Sequence, residues 1–573
     1  MRGTAVTKRA ARRAGRGRAV AAIALPAVAA LPALIGGCTG SWYHDSADRE
    51  VDEILGEFDQ KALGDRAERL VMPVALPPEP PPSEAPPAAT PTAASADPAA
   101  AATEAPAPVE PLVLDLKKTL EIAVTSSRDY ITRKESLYLS GLGFSLARFN
   151  YGPQFSSAVN YVWGDSEGGA DSSSVGGSFG VSQLLPTNGS LGLSTGLNKA
   201  MNRGDGGAPD DWSTSAGISF SQPLLRGSGY DQYRESLTQA ERSMVYSVRD
   251  FELFRQDFTI NRAEQFFGLV SDQRQLENFE IDLETAKFDL AQAEALQRVD
   301  RKRAEDVIQA RRRRIEAESS VTDARVNFAR QVERFLIDLG LDPKTPVKIV
   351  ETDPEFESVA FEQESAVAAA LANRLDIQTR RDTIEDAERG FRLARDNLLP
   401  DLNFSASYGS GGAGRAASGA LPDSWSRSAS LSLEIPLQTI DRRNAWRSAE
   451  ISIEQTRRGF ADFIDSEKSA IEDALRQLKN LERQLELAEE SLADEARNTR
   501  LLQFKLESGE AGSRDLIEAR RTKINAENSV IERRVQHFIA RLRLYRNLGI
   551  LFIDDKGYWS IGTPAGARSE DGE

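Results

Sequence analysis

The string FNYGPQFSSAVNY at 149–161 returns 247 residues later as DNLLPDLNFSASY at 396–408. Each runs from the end of a charged helical stretch through a proline into alternating apolar and polar residues. The period therefore switches from that of a helix to that of a strand, and the proline is where a helix must stop. Pro153 and Pro400 share the offset of 247, as do Asp129 and Asp376. A second β-like run follows in each case, closing on Pro223 or Pro436, and then a helical pattern of unusual length. A repeat of this size dictates the architecture. The chain is two copies of one unit: helix, β-hairpin, long helix, tip, returning helix.

The first helices are expected over 114–150 and 361–397. In copy one, β segments at 155–163 and 213–223 flank a long insert; in copy two, those at 402–408 and 428–436 flank a Gly- and Ser-rich loop. Pro223 and Pro436 are 213 apart rather than 247, so copy one carries 34 extra residues. Within them Phe179, Val181, Leu191 and Leu193 alternate around Pro186-Thr187-Asn188-Gly189, the pattern of a further hairpin. The sequence leaves open whether that hairpin joins the same sheet or stands outside it. The long helices, 233–298 and 441–508, would each reach about 100 Å. Ile471, Leu475, Leu478, Leu481, Leu485, Ala488 and Leu492 form a coiled-coil-like seam on the second. The returning helices, 304–339 and 515–548, are half as long and end at Gly340 and Gly549. Each is expected to stack end to end on the next unit's first helix, giving the wall of a long α-helical tube.

Strands such as SLSLEIPL (430–437) carry the pattern a membrane barrel needs, apolar toward lipid and polar toward a wet lumen. A single chain has too few to close a barrel, and open edges are not tolerated in lipid. Several chains would have to share one barrel. A soluble β-sandwich face is the alternative, and the paucity of strands weighs against it.

Residues 1–37 read as a signal peptide: a basic start, an Ala-rich apolar stretch, then Leu34-Ile35-Gly36-Gly37-Cys38. This resembles a bacterial lipobox, which makes Cys38 the lipidated new N-terminus; an uncleaved signal anchor, or a chance cysteine in an Ala-rich stretch, is the alternative. Cys38 is the only cysteine, so no internal disulfide is possible. Thr39 stands where an Asp would favour inner-membrane retention. Residues 38–72 form an N-terminal segment with Val51, Ile54, Leu55 and Phe58 at helical spacing, and 73–111, holding 13 of the 26 prolines, reads as a linker. The first repeat is assigned to 112–345, the second to 346–552, and a polar tail to 553–573.

The formal charge is −16, and near −23 without the seven cations of the first 37 residues. That argues against nucleic acid as a partner, since phosphate binding needs a basic face; it suits a passage for cations. The two histidines, His44 and His537, are too isolated for a metal site or a triad, and His537 reads as a packing or surface residue. No P-loop, HExxH, GxSxG or cysteine pair is present. The expectation is no enzyme, no cofactor and no metal.

In this order and twice over, ALANRLDIQTRR…AERGFRLARDNLLPDLNFSASY (370–408), SFSQPLLRG (219–227) and LESGEAGSRDLIEARR (506–521) resemble the TolC family of outer-membrane efflux proteins. The resemblance spans about 112–552. It implies a mainly α fold with β: a trimeric α-helical barrel through the periplasm joined to one shared transmembrane β-barrel. It implies a passive duct in a tripartite efflux or type I secretion system, lipid-anchored at Cys38. The partners would be two further copies, outer-membrane lipid, a periplasmic adaptor (membrane fusion) protein, and an inner-membrane pump of RND or ABC type. A non-conducting coiled-coil lipoprotein scaffold, or the adaptor itself, is the competing class; the paired amphipathic hairpins argue against both.

Gly509 and Gly512 are placed at the second tip, where the chain reverses. Asp515 and Glu518 follow at i and i+3, on one helix face. The resemblance makes them an acidic ring at the periplasmic entrance; acids favoured at a helix start by the macrodipole are the plainer reading. At the first tip, Val299-Asp300-Arg301 and the cations after it stand where the family often has Gly and apolar residues that dock an adaptor. This cluster faces either an acidic adaptor tip or only solvent.

Overall fold

The computed structural model describes residues 40–64, 111–164, 171–203, 211–299, 301, 303–350, 354, 356–358, 361–415, 424–508 and 510–562. The repeat governs what is seen. Copy one runs α2 (Leu116–Ser126), α3 (Arg128–Phe149), β2 (Gln154–Gly164), β3 (Asp171–Leu184), β4 (Ser190–Arg203), β5 (Asp211–Pro223), α4 (Tyr230–Arg298) and α5 (Ala304–Asp338). Copy two runs α6 (Gln363–Asn373), α7 (Leu375–Asp396), β7 (Asp401–Gly414), β8 (Ser424–Glu434), α8 (Ile440–Glu507) and α9 (Ser513–Leu548). Ahead of them lie α1 (Gly40–Leu63) and β1 (Leu112–Leu114), which pairs in parallel with β6 (Val347–Ile349) between the copies.

Each first helix, expected as one piece, is two. Ser127 separates α2 from α3 at φ −65, ψ 125, and Arg374 separates α6 from α7 at φ −69, ψ 130. No proline or glycine marks either break, because its cause is tertiary. Gly340 ends α5 at φ +79, and a Cβ there would lie 2.0 Å from the Ser126 carbonyl oxygen. Gly549 ends α9 at φ +69, and its Cβ would lie 2.9 Å from the carbonyl carbon of Asn373. Both close a helix through a six-to-one hydrogen bond, Leu341 N–H to Leu336 O (2.8 Å) and Ile550 N–H to Tyr545 O (3.1 Å). Each returning helix thus ends on the break in its own unit's first helix, with α3 and α5 both lying along α4, and α7 and α9 both along α8. This corrects the expected stacking onto the next unit.

Gly340→Ala should therefore cost roughly 2 kcal/mol or more, from the left-handed backbone and the forced retreat of α2. Gly56→Ala, inside α1 with nothing within 4 Å of the new methyl, should be neutral or stabilising by up to about 1 kcal/mol. Denaturant midpoints of the two variants decide it; equal midpoints would refute the glycine seat.

The main core sits at this level, around the upper part of α4. Val248, Phe251, Phe258, Ala263, Phe266 and Phe267 of α4 are buried there. Tyr130 packs on Phe258 at 5.2 Å and Phe267 on Phe538 at 5.1 Å. Toward the tips burial thins to Ala286 and Ala293 on α4 and to Ile471, Leu475, Leu478, Leu481 and Leu485 of the expected seam on α8. The N-terminal segment is part of the core. Val51, Ile54, Leu55 and Phe58 of α1 are all buried, with Phe58 against Phe144 at 4.8 Å and the Tyr138 hydroxyl donating to Asp48 at 2.6 Å. The expected polar tail is also partly folded. β9 (Leu551–Ile553) and β10 (Trp559–Ile561) pair antiparallel, and buried Arg255 donates to the carbonyls of Ile553 and Asp554 at 2.9 and 2.8 Å. His537 is buried, lies tilted against the Phe356 ring at 4.8 Å, and is a packing residue.

Asp59 of α1 is buried with Oδ1 unpartnered, and burial pushes its carboxyl up to about 6, Arg255 opposing and Glu252 adding to the shift. The neutral acid is the form the fold prefers. Its contribution is whole below the unfolded value of 3.8 and is lost as pH rises through about 6. Asp59→Asn should stabilise the protein by on the order of 1–3 kcal/mol at pH 8 and by nothing near pH 4. Thermal unfolding at the two pH values checks this; an equal gain at both would refute the charged state at pH 8.

Candidate channel wall and entrance

Six strands form one antiparallel sheet in the order β2-β3-β4-β5-β7-β8. The insert of copy one is therefore two full strands inside the sheet. Register places Phe155, Val181, Leu193, Ile218, Tyr408 and Arg427 in one row across all six strands, on one face. The next row, on the other face, is Ser156, Gly180, Ser194, Gly217, Gly409 and Ser426. The first face also carries Tyr161, Trp163, Phe179, Leu197, Leu431 and Leu433, all exposed in the single chain. The second is mostly Ser, Gly and Asn, and several of its glycines face hydroxyls: Cβ atoms at Gly180, Gly192 and Gly196 would lie 2.9, 2.5 and 2.9 Å from Ser Oγ atoms. Such a sheet has a lipid-compatible side and a hydrated side.

The prolines stand at the junctions with the helices. Pro153 and Pro400 fall between α3 and β2 and between α7 and β7; Pro223 ends β5 opposite Asn403, and Pro436 follows β8. Polar contacts that sequence reasoning missed hold the junctions. Asp401 accepts from Arg226 and, at 3.3 Å, from Arg442; Asp396 accepts from the Gly227 N–H and from Gln232, both at 2.8 Å. The only available signal was the acids and arginines around Pro400 and after Pro436.

At the opposite end, α4 turns into α5 and α8 into α9. Both turns are built alike: Arg301 N–H donates to Leu296 O at 2.9 Å, and Glu510 N–H to Lys505 O at 2.8 Å. Asp515 accepts the Gly512 N–H at 3.2 Å, and Asp306 accepts the Arg303 N–H at the same distance. Asp306 lies 209 residues before Asp515, the offset of Gly340 from Gly549, so this helix-start cap belongs to the repeat and not to the second tip alone. Glu518 is exposed and bound to Arg521 at 2.7 Å, while Leu516 and Ala519, between and beside the two acids, are buried. Gly512 is at φ −85, ψ 152, extended backbone that any residue adopts, so the reversal draws on no glycine freedom there. Val299 is exposed, and the described cations of the first tip, Arg301 and Arg303, are exposed with it. Cys38, Asp300 and Gly509 lie outside the described residues. Among the described residues no helix is long and apolar enough to cross a membrane.

Residues 366–550 match the family model of the outer membrane efflux protein. The matched segment holds nearly all of copy two, from α6 to the end of α9. Copy one repeats its element order with β3 and β4 added, so the fold extends over both. Solved structures agree. The chain is similar to the Campylobacter jejuni CmeC outer membrane channel at 14% identity and TM-score 0.56, over 78% of this chain and 86% of that one. It is similar to the outer membrane protein VceC of Vibrio cholerae (13%, TM-score 0.54, 76% and 96%) and to the open state of the Neisseria gonorrhoeae MtrE outer membrane channel (14%, TM-score 0.55, 76% and 88%). No curated protein matches by sequence. The fold is therefore that of outer membrane channels: mainly α, with a sheet at one end.

Proposed function

We propose that three copies of this chain form a passive export duct, the outer-membrane component of a tripartite efflux or type I secretion system. One observation carries the reading. A continuous six-stranded sheet has an apolar face and a Ser/Gly face, and both its edges, β2 and β8, are open. Unpaired edges in lipid cost several kcal/mol per group, so copies must share one closed wall. The helices below, about 100 Å long, continue that wall as a tube through the periplasm. A periplasmic adaptor meets the tips, and an inner-membrane pump of RND or ABC type supplies the energy. Lipidation at Cys38 would seat the chain in the outer membrane, and the helix that follows, packed on α3 and α4, would carry that anchor to the body. Exposed Asp515 and Glu518 would each make a ring of three carboxylates that admits cations.

Electron microscopy of the detergent-extracted protein tests the duct. The expected particle is a hollow, three-fold tube well over 100 Å long with a collar in the detergent belt. A solid rod, or a monomer or dimer without a lumen, would overturn the reading in favour of a scaffold.

A further inference from the structure

The sheet contains more strands than the repeat by itself supplies. Two strands per copy of the unit would make four per chain, and three chains would close a wall of twelve. The 34 extra residues of copy one supply β3 and β4, and these do not lie against the sheet but within it. β3 pairs with β2 over 11 residues and with β4 over 14; β4 pairs with β5 over 11. The inserted strands also keep the division of faces. Val175, Phe179 and Val181 of β3 and Leu191, Leu193 and Leu197 of β4 fall on the apolar face, level with Phe155 and Ile218. Their alternate positions, Gly176, Ser178, Gly180, Gly192, Ser194 and Gly196, fall on the hydrated face. A hairpin meant to stand outside the membrane would not need six apolar side chains in register with lipid-facing neighbours.

The inner turn of the hairpin is built into the helix junction. Gln222 Nε2 donates to Thr187 O at 2.9 Å, Gly229 N–H donates to the same oxygen at 3.2 Å, and Asn188 Nδ2 donates to Gly227 O at 2.6 Å. Gln183 reaches the Tyr151 carbonyl at 2.9 Å. Asn188, at φ +63, is the one described non-glycine residue in the left-handed region, as the tight turn between β3 and β4 requires. Turn and strands are therefore integral to the place where the sheet meets α3 and α4.

Two edges remain, and they fit each other. β2 and β8 are each 11 residues long and exposed along almost their whole length. Alternation through six strands makes them antiparallel, so β8 of one copy can pair with β2 of the next as every internal pair does. Their apolar residues, Phe155, Val159 and Tyr161 on β2 and Trp425, Leu431 and Leu433 on β8, would then form one outer surface.

From this we infer that three copies close an eighteen-stranded barrel, with β8 of each pairing with β2 of its neighbour and the inserted hairpin forming part of the wall. Barrel diameter grows roughly in proportion to strand number, so this wall is about one and a half times as wide as the twelve strands of the bare repeat would give. Barrels of about this strand number leave an aqueous channel rather than a packed core. The Ser/Gly face suits that, because no large side chain from these rows would obstruct the lumen.

The inference rests on the three-fold duct proposed above, and one experiment separates the two. A map of the full-length protein in lipid nanodiscs, at a resolution that separates strands, gives the strand number in the membrane-level wall. Eighteen strands, with β3 and β4 among them and a wall about 1.5 times the twelve-strand diameter, is the expected result. A three-fold tube with a twelve-stranded wall and the 171–203 hairpin outside it would overturn the inference and leave the duct standing. A particle with no three-fold lumen would overturn both.

Discussion

Arg374→Leu is expected to destabilise the protein by about 3–5 kcal/mol, the range for removing one partner from a buried ion pair. Arg374 is 4% exposed and occupies the break between α6 and α7. Its Nε and Nη2 donate to the two oxygens of Asp376 at 3.0 and 2.6 Å, and its Nη1 to Glu467 of α8. The substitution leaves two partly buried carboxylates facing each other with no cation between them. It also removes the clamp that ties the extended residue to the long helix. The pH dependence is fixed in sign. Burial alone would raise the Asp376 carboxyl, but Arg374 outweighs it and holds the group below its usual range. That stabilisation is present above the unfolded value of 3.8 and fades as pH falls through the lower folded one. Urea midpoints of the two proteins should differ widely at pH 7 and draw together only as pH falls below the unfolded value of 3.8. A constant difference, or none, would show that the guanidinium contributes packing alone. In copy one the equivalent position is Ser127, so the repeat predicts no matching effect there.

The second large effect divides two adjacent residues. Phe179→Arg places a cation on the apolar face near the middle of β3, at a cost of about 2–4 kcal/mol if that face meets lipid. Ser178→Arg places it on the opposite face, across from Ala158 and Gly196, where water can solvate it. The first variant should lose most of its assembled, membrane-extracted protein. The second should assemble at wild-type yield and pass fewer cations in planar bilayers. The reverse pattern would mean that the faces have been assigned the wrong way round. Equal yields for both variants would mean that β3 lies outside the membrane.

Several features are legible along the chain because they are local. A proline at a helix end and the switch from a 3.6 to a 2-residue period need no distant partner; Pro153, Pro400, Pro223 and Pro436 each stand where a helix and a strand meet. The seam on α8 is likewise readable as spacing. The two helix breaks are not. Ser127 and Arg374 carry no breaking signal of their own, and what seats them is Gly340 and Gly549, more than 170 residues away in sequence. The role of Asp515 is only half legible. Its acidity at a helix start is plain, whereas its matching cap at Asp306 emerges once both tips are seen to fold alike.

The N-terminal and C-terminal ends show the same limit. Four apolar residues at helical spacing in α1 say that one face will be covered, but not by what; α3 and α4 cover it. Residues 553–562 are too polar to announce a core element, yet Arg255, buried in the middle of α4, takes its two carbonyl partners there.

By itself, then, the sequence determined the repeat, the element types, the alternation of faces and the 34-residue surplus, all of them read from local patterns and their spacing along the chain. Only the tertiary structure decided that the surplus lies inside the sheet, that each returning helix stacks on its own unit, and that the terminal segments belong to the core. Those outcomes depend on which backbone groups find partners across long stretches of chain, and the free energy of pairing is not written in any one stretch.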